Sequence, residues 1–195
     1  FISNSVLVYV FYDMPQGGGG FALEGTTFRR SFQDAGAQTF IETFHSNNQA
    51  YTNIKFLDPI LEGDLDLHNY EVLPSADDFD FHVAWTVMVN VKNDQGYDIP
   101  NTAIEIYDDN NSLVSSGETN DAGNVELEVT EFSVVRQGAS MNTIEYNPFD
   151  IQASYLTYNT NQVLTIDTTQ TVNLILDGVV INDPPVPVTN SNAGK

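Results

Sequence analysis

The sequence predicts an all-β fold: an antiparallel β-sandwich over residues 84–178, preceded by a second β-rich region. Three observations carry this. Apolar residues alternate with polar ones in short runs, at Val87, Val89 and Val91, then Ala103, Ile104 and Ile106, then Leu113 and Val114, then Val125, Leu127 and Val129. Such period-2 runs at near-regular spacing mark the strands of a sandwich or barrel. Between them sit Asn93-Asp94-Gln95-Gly96, Asp108-Asp109-Asn110-Asn111 and Asn120-Asp121-Ala122-Gly123. These residue types tolerate positive φ and bond their own backbone, so they form turns. Finally, no 3.6-residue apolar stripe runs longer than two turns; the best helix candidate is Arg29 to Ala37.

In chain order, residues 1–20 hold an apolar strand and a glycine-rich tether. Ser5 to Tyr12 reads SVLVYVFY, apolar on both sides of the pleat, and so is expected to be buried on both faces. Pro15-Gln16 and Gly17 to Gly20 then form a flexible connection. One reading is an ordinary first strand and loop. The other is a donor strand, with Val6, Leu7, Val8, Tyr9, Val10, Phe11 and Tyr12 adding to a neighbouring subunit's sheet. Residues 21–83 carry alternating runs at Thr39 to Phe44 and Tyr51 to Leu57. Residues 84–178 continue with strands at Asn147 to Tyr155, Val163 to Ile166 and Thr171 to Leu176, about seven in all, the number of an immunoglobulin-like sandwich. The single tryptophan, Trp85, is expected in its core. Residues 179–195, with Pro184, Pro185 and Pro187, read as an extended tail.

Composition narrows the partners. The 195 residues contain 6 Lys+Arg against 27 Asp+Glu, a net charge of −21. That surface repels phosphates, so nucleic acid is not an expected partner. It attracts cations and costs self-repulsion unless salt or divalent ions offset it. With no cysteine, disulfides and thiolate chemistry are excluded. No apolar run reaches the ~18 residues of a membrane-spanning helix. Asn110-Asn111-Ser112 is a glycosylation sequon in a predicted turn, which makes Asn110 a candidate acceptor.

The order Val87–Val91, Asn93–Gly96, Ile99-Pro100, Ala103–Ile106, Gly117-Glu118-Thr119 and Asp121-Ala122-Gly123 resembles the carboxypeptidase regulatory-like, transthyretin-like β-sandwich modules of prokaryotic surface proteins. Tyr146 to Ile151 looks like the returning strand of such modules where they end archaeal β-helical surface proteins. The resemblance covers residues 84–178. It implies an immunoglobulin-like sandwich in an extracellular or cell-surface protein, acting as spacer, adhesive part or polymer subunit. The pilin-type sandwich with isopeptide bonds is related, and Lys92 sits where its reactive lysine would. Yet Val87, Val89 and Val91 hold the inward parity, which turns Lys92 outward.

Two segments share the pattern Asp-Φ-Asp-Φ-His, where Φ is apolar: Asp64, Asp66 and His68, and Asp78, Asp80 and His82. On strands each triplet shares a face. A hairpin closed around Pro74, pairing His68 with Asp78, would gather all six on one surface. Carboxylates suit Ca²⁺ and imidazole adds affinity for Zn²⁺, so a divalent-cation site is one expectation. The solvated face of an acidic hairpin is the other. The acidic turn at Asp108 is a weaker Ca²⁺ candidate. No nucleophile elbow, phosphate loop, zinc-protease helix or dinucleotide fingerprint is present, so no enzyme is expected. The function expected is therefore a structural subunit of an extracellular filament or surface coat, partnered by copies of itself through strand addition. A carbohydrate- or surface-binding module of a larger secreted protein, directed at cell-surface glycans, is the alternative.

Overall fold

The computed structural model describes residues 2–3, 6–10, 22–30, 39–43, 51–62, 66–68, 70–72, 79–137 and 140–180. Among them every element is a strand, and none is a helix. The first nine strands form three coils. These are β1 (Ile2–Ser3), β2 (Val6–Val10) and β3 (Ala22–Glu24); β4 (Thr27–Arg30), β5 (Thr39–Thr43) and β6 (Tyr51–Leu57); and β7 (Ile60–Glu62), β8 (Tyr70–Val72) and β9 (Phe79–Asn93). Pairing runs between equivalent strands of successive coils, always parallel: β1-β4-β7, β2-β5-β8 and β3-β6-β9. This is a parallel β-solenoid with three faces. Partners lie about one coil apart in sequence, from Ile2 opposite Arg29 to Val6 opposite Thr39.

The solenoid runs into the sandwich without a linker. Strand β9 is 15 residues long, and a boundary at residue 84 falls inside it. The chain continues through β10 (Ala103–Tyr107), β11 (Leu113–Glu118), β12 (Asn124–Gln137), β13 (Ser140–Glu145), β14 (Phe149–Tyr155), β15 (Tyr158–Leu164) and β16 (Gln170–Leu176). One sandwich sheet is β11-β10-β14-β15, all antiparallel. Facing it, β9 pairs β12 antiparallel and β16 parallel. The fold is thus all-β with mixed sheets. Only part of it is antiparallel, because each solenoid coil returns to its starting edge before pairing.

The core is continuous through both halves. Phe28, Phe56, Phe81 and Phe132 are fully buried and meet edge to face in sequence, with each ring centroid 6.1 Å from the next. T-shaped pairs at this distance place the positive ring edge on the negative face. The row joins three solenoid strands to β12. In the sandwich, Val87, Val89 and Val91 meet Ile104, Ile106, Phe149 and Ile151 from the opposite sheet.

The three Asn/Asp turns share one device. The side-chain oxygen of the first residue accepts backbone N–H groups two and four residues on: Asn93 from Gln95 and Tyr97, Asp108 from Asn110 and Ser112, Asn120 from Ala122 and Asn124. In the last turn Gly123 has φ +70°, and a Cβ there would lie 2.7 Å from the Val91 carbonyl oxygen. Only glycine fits both constraints.

Several expectations are corrected. Arg29 and Arg30 end strand β4, not a helix; the rest of Arg29 to Ala37 lies outside the described residues. Val6 to Val10 pair with β5 of the same chain, so that edge of the strand is occupied within the solenoid. Phe11, Tyr12, Gly17 to Gly20 and residues 181–195 lie outside the described residues. Because Phe56 links rings on both sides, Phe56→Ala should cost ~3–5 kcal/mol of unfolding free energy, measured by urea denaturation. A loss below ~1 kcal/mol would show that the ring row does not join the two halves.

Candidate functional site

The polar chemistry gathers where solenoid becomes sandwich, at residues 84–86 of β9. Both neighbours of β9 are interrupted there. On one edge β6 ends opposite Ala84, and β16 begins opposite Val87. On the other, β12 carries a bulge between Thr130 and Phe132. A gap in a ladder leaves backbone groups to be satisfied by side chains.

Asp58 closes the first gap. It follows β6 with φ +50°, a conformation Asp tolerates. Its N–H donates to the Ala84 carbonyl at 2.9 Å. Its carboxylate accepts the Thr86 N–H at 2.6 Å, the Thr86 hydroxyl at 2.5 Å and the Thr169 hydroxyl at 2.7 Å. Burial pushes this carboxyl up. The hydroxyls of Thr86 and Thr169 and the Thr86 N–H outweigh burial and hold it below the ordinary range.

Glu131 occupies the bulge on the second edge. It is buried, and its carboxylate accepts the Trp85 indole N–H at 2.7 Å. Its carbonyl accepts the Tyr146 N–H at 3.0 Å. Burial raises this carboxyl above its ordinary range; the Trp85 hydrogen bond and His68 oppose that only in part. Trp85 is buried, as the sequence led us to expect, and the indole has an acid partner that sequence reading missed.

The six-residue cation site does not assemble as a hairpin. Asp64 and Asp78 lie outside the described residues. The other four separate into two pairs. His68 stacks on Phe132 with ring centroids 4.1 Å apart. Its Nδ1 is 3.3 Å from Asp66 Oδ1, and its Nε2 is 3.6 Å from Glu145 Oε1. His82 instead has Nδ1 2.7 Å from Ser133 Oγ and Nε2 3.2 Å from Asp80 Oδ1. Phe132 and Ser133 are adjacent on β12 and face opposite sides of the sheet, so the two histidines do too. The opposite neighbours of His82 are Lys55 and Ser133, not Asp64. Asp80 also accepts the Asn53 N–H at an irregularity of β6, a structural duty. Among the described residues, no group of three or more His, Asp and Glu could hold a metal ion.

Ser133, His82 and Asp80 have the connectivity of a nucleophile, base and orienting acid. Ser133 is 1% exposed, so no substrate can reach its hydroxyl. The set therefore acts as a half-buried polar tie between β9 and β12, extended by the Tyr146 hydroxyl 3.4 Å from Ser133. The turn carboxylate Asp108 is buried and given to its own turn, while Asn110 is exposed beside it. Lys92 is exposed as its parity dictates and pairs with Asp98 at 2.6 Å.

No family model and no curated protein matches the chain. Among solved structures, the Bacillus anthracis TIE protein is similar at TM-score 0.37 and 14% identity, over 56% of this chain and 19% of that one. A likeness this loose carries no argument about function.

The two junction carboxylates give opposite pH dependences. Asp58, depressed in the fold, adds stability that is present above the unfolded pKa and lost as pH falls through the folded one. Asp58→Asn keeps the backbone conformation and should cost ~1–3 kcal/mol at neutral pH, with the deficit shrinking in acid below the ordinary carboxylate range. Glu131, raised in the fold, adds stability that is present below the unfolded pKa and lost as pH rises through the folded one. Glu131→Gln keeps an acceptor for Trp85. It should therefore be more stable than the parent at pH 8, and the difference should vanish near pH 4. Thermal melts across pH 3–8 read both signs; a parallel pH profile for parent and variant would refute either assignment.

Proposed function

We propose that the chain is a structural subunit of an extracellular filament or surface coat, built from stacked parallel β-coils closed at one end by a β-sandwich. The observation that supports this most is the parallel stacking of the coils, in which each strand of one coil pairs edge to edge with its equivalent in the next. Among the described residues, β1, β2 and β3 each have one hydrogen-bonded neighbour, in the second coil. A row of free N–H and C=O groups is a template for another strand. The partner is a further coil of the same kind, supplied by another copy of the chain. Strand addition thus uses the outer edge of Val6 to Val10, while the inner edge stays with β5.

The sandwich fits a transthyretin-like spacer, and a parallel last strand on the first supports that reading. The register shared by β9 with β6 and β12 makes the spacer continuous with the coils. In such a coat Asn110, exposed on the β10–β11 turn, is available to carry a glycan.

In concentrated salt, purified protein should form end-to-end assemblies visible by negative-stain microscopy, and deletion of residues 1–14 should abolish them. Monomers at every ionic strength from ~0.05 to ~1 M would rule the reading out. So would assembly that survives the deletion.

A further inference from the structure

We propose that the outward face of the β11-β10-β14-β15 sheet binds a neutral oligosaccharide, a function separate from assembly. Two cross-strand rows define it. The first is Ser116, Glu105, Gln152 and Asn161, and the second is Leu113, Tyr107, Asp150 and Val163. All eight point away from the core, because Ile104, Ile106, Phe149 and Ile151 take the inward parity.

An outward sheet face usually carries flexible solvated side chains. Here the polar groups are held in place. The Asp150 carboxylate accepts the amide of Gln152 on one oxygen and the amide of Asn161 on the other, both at 2.7 Å. The Tyr107 hydroxyl donates to Glu105 at 2.9 Å, and that hydrogen bond raises its pKa above the ordinary range. Each amide keeps its carbonyl oxygen and a second N–H for a ligand. The platform thus offers alternating donors and acceptors at fixed positions, which is what vicinal hydroxyls require.

Apolar contact is supplied beside them. Leu113 and Val163 are 52% and 59% exposed at the two ends of the row that contains Tyr107. Leu113 beside Tyr107 gives an apolar strip on which the C–H face of a sugar ring can lie, with Val163 as a second apolar contact beyond Asp150. Charge selects the ligand class. No lysine or arginine lies in either row, and Glu105 and Asp150 repel anions. Phosphorylated, sulfated and uronic acid ligands are therefore disfavoured.

The test is affinity electrophoresis of the full chain in gels containing soluble neutral polysaccharides (xylan, mannan, hydroxyethyl cellulose and a β-glucan), with polygalacturonate as the anionic control. At least one neutral polymer should retard the protein and polygalacturonate should not. Tyr107→Ala with Asn161→Ala should weaken that retention by about tenfold or more, with an unchanged melting profile. If the double variant melts early, chemical-shift mapping on the parent decides, since the shifts must centre on β10, β14 and β15. Retention by none of the neutral polymers, retention by polygalacturonate alone, or shifts centred elsewhere would overturn the proposal. Binding by a strictly monomeric protein would leave it standing while removing the filament.

Discussion

Everything in this fold hangs on one strand that is hydrogen-bonded along both edges to two different architectures. The first half of β9 completes a solenoid face beside β6, and its second half is the centre of a sandwich sheet beside β16. Strand β12 follows it across the boundary on the other edge. Segments joined by a linker move relative to one another by default. Here the joint is a sheet with fixed register, and slipping it by one residue would send Phe81, Val83, Val87 and Val89 out of the core together. The two halves cannot turn independently without breaking the ladder.

That continuity has a cost, and the polar junction residues show where it falls. Each edge of β9 has a break or a bulge near residue 85. Asp58 spans one break with an ionised carboxylate that three donors satisfy. Glu131 fills the other with a carboxyl that burial drives toward the neutral form. One side of the joint is strongest with its acid charged and the other with its acid protonated. Falling pH therefore weakens the Asp58 side of the junction and rising pH the Glu131 side.

The sandwich was legible because its information is local. Turns opening on Asn93, Asp108 and Asn120 are written in consecutive residues, and valine parity on β9 states which face is buried. The solenoid was hidden because its pairing is not local. Coil partners are separated by unequal spacings, 27 residues for Ile2 and Arg29 but 33 for Val6 and Thr39, so no fixed repeat marks them. The strand over Tyr51 to Leu57 was read with the right limits, yet its parallel neighbours could not be inferred from alternation. The same blindness produced the imagined hairpin. Asp-Φ-Asp-Φ-His is a face pattern only if both copies are strands paired with each other; one ends in a turn at Leu67 and His68, and the other pairs with β6 and β12. Asp58 carried a faint signal, as an Asp-Pro pair closing an apolar run, and Glu131 carried one too, as an acid interrupting the inward parity of β12.

The acidity of the chain bears on how strand edges of two copies would meet in the proposed filament. An unpaired strand edge invites indiscriminate pairing, and proteins commonly blunt it with charge. A chain of net charge −21 does this globally, because any approaching copy is equally acidic. Neighbouring strands sit ~4.8 Å apart, inside the ~8 Å Debye length of physiological salt, so repulsion acts at contact distance. At ~1 M salt the screening length falls to ~3 Å, shorter than the strand spacing, so the repulsion between copies is largely screened. On the proposed filament, charge and strand edge together would make association depend on the medium: the same surface would keep copies apart in dilute solution and let them stack where ions are abundant.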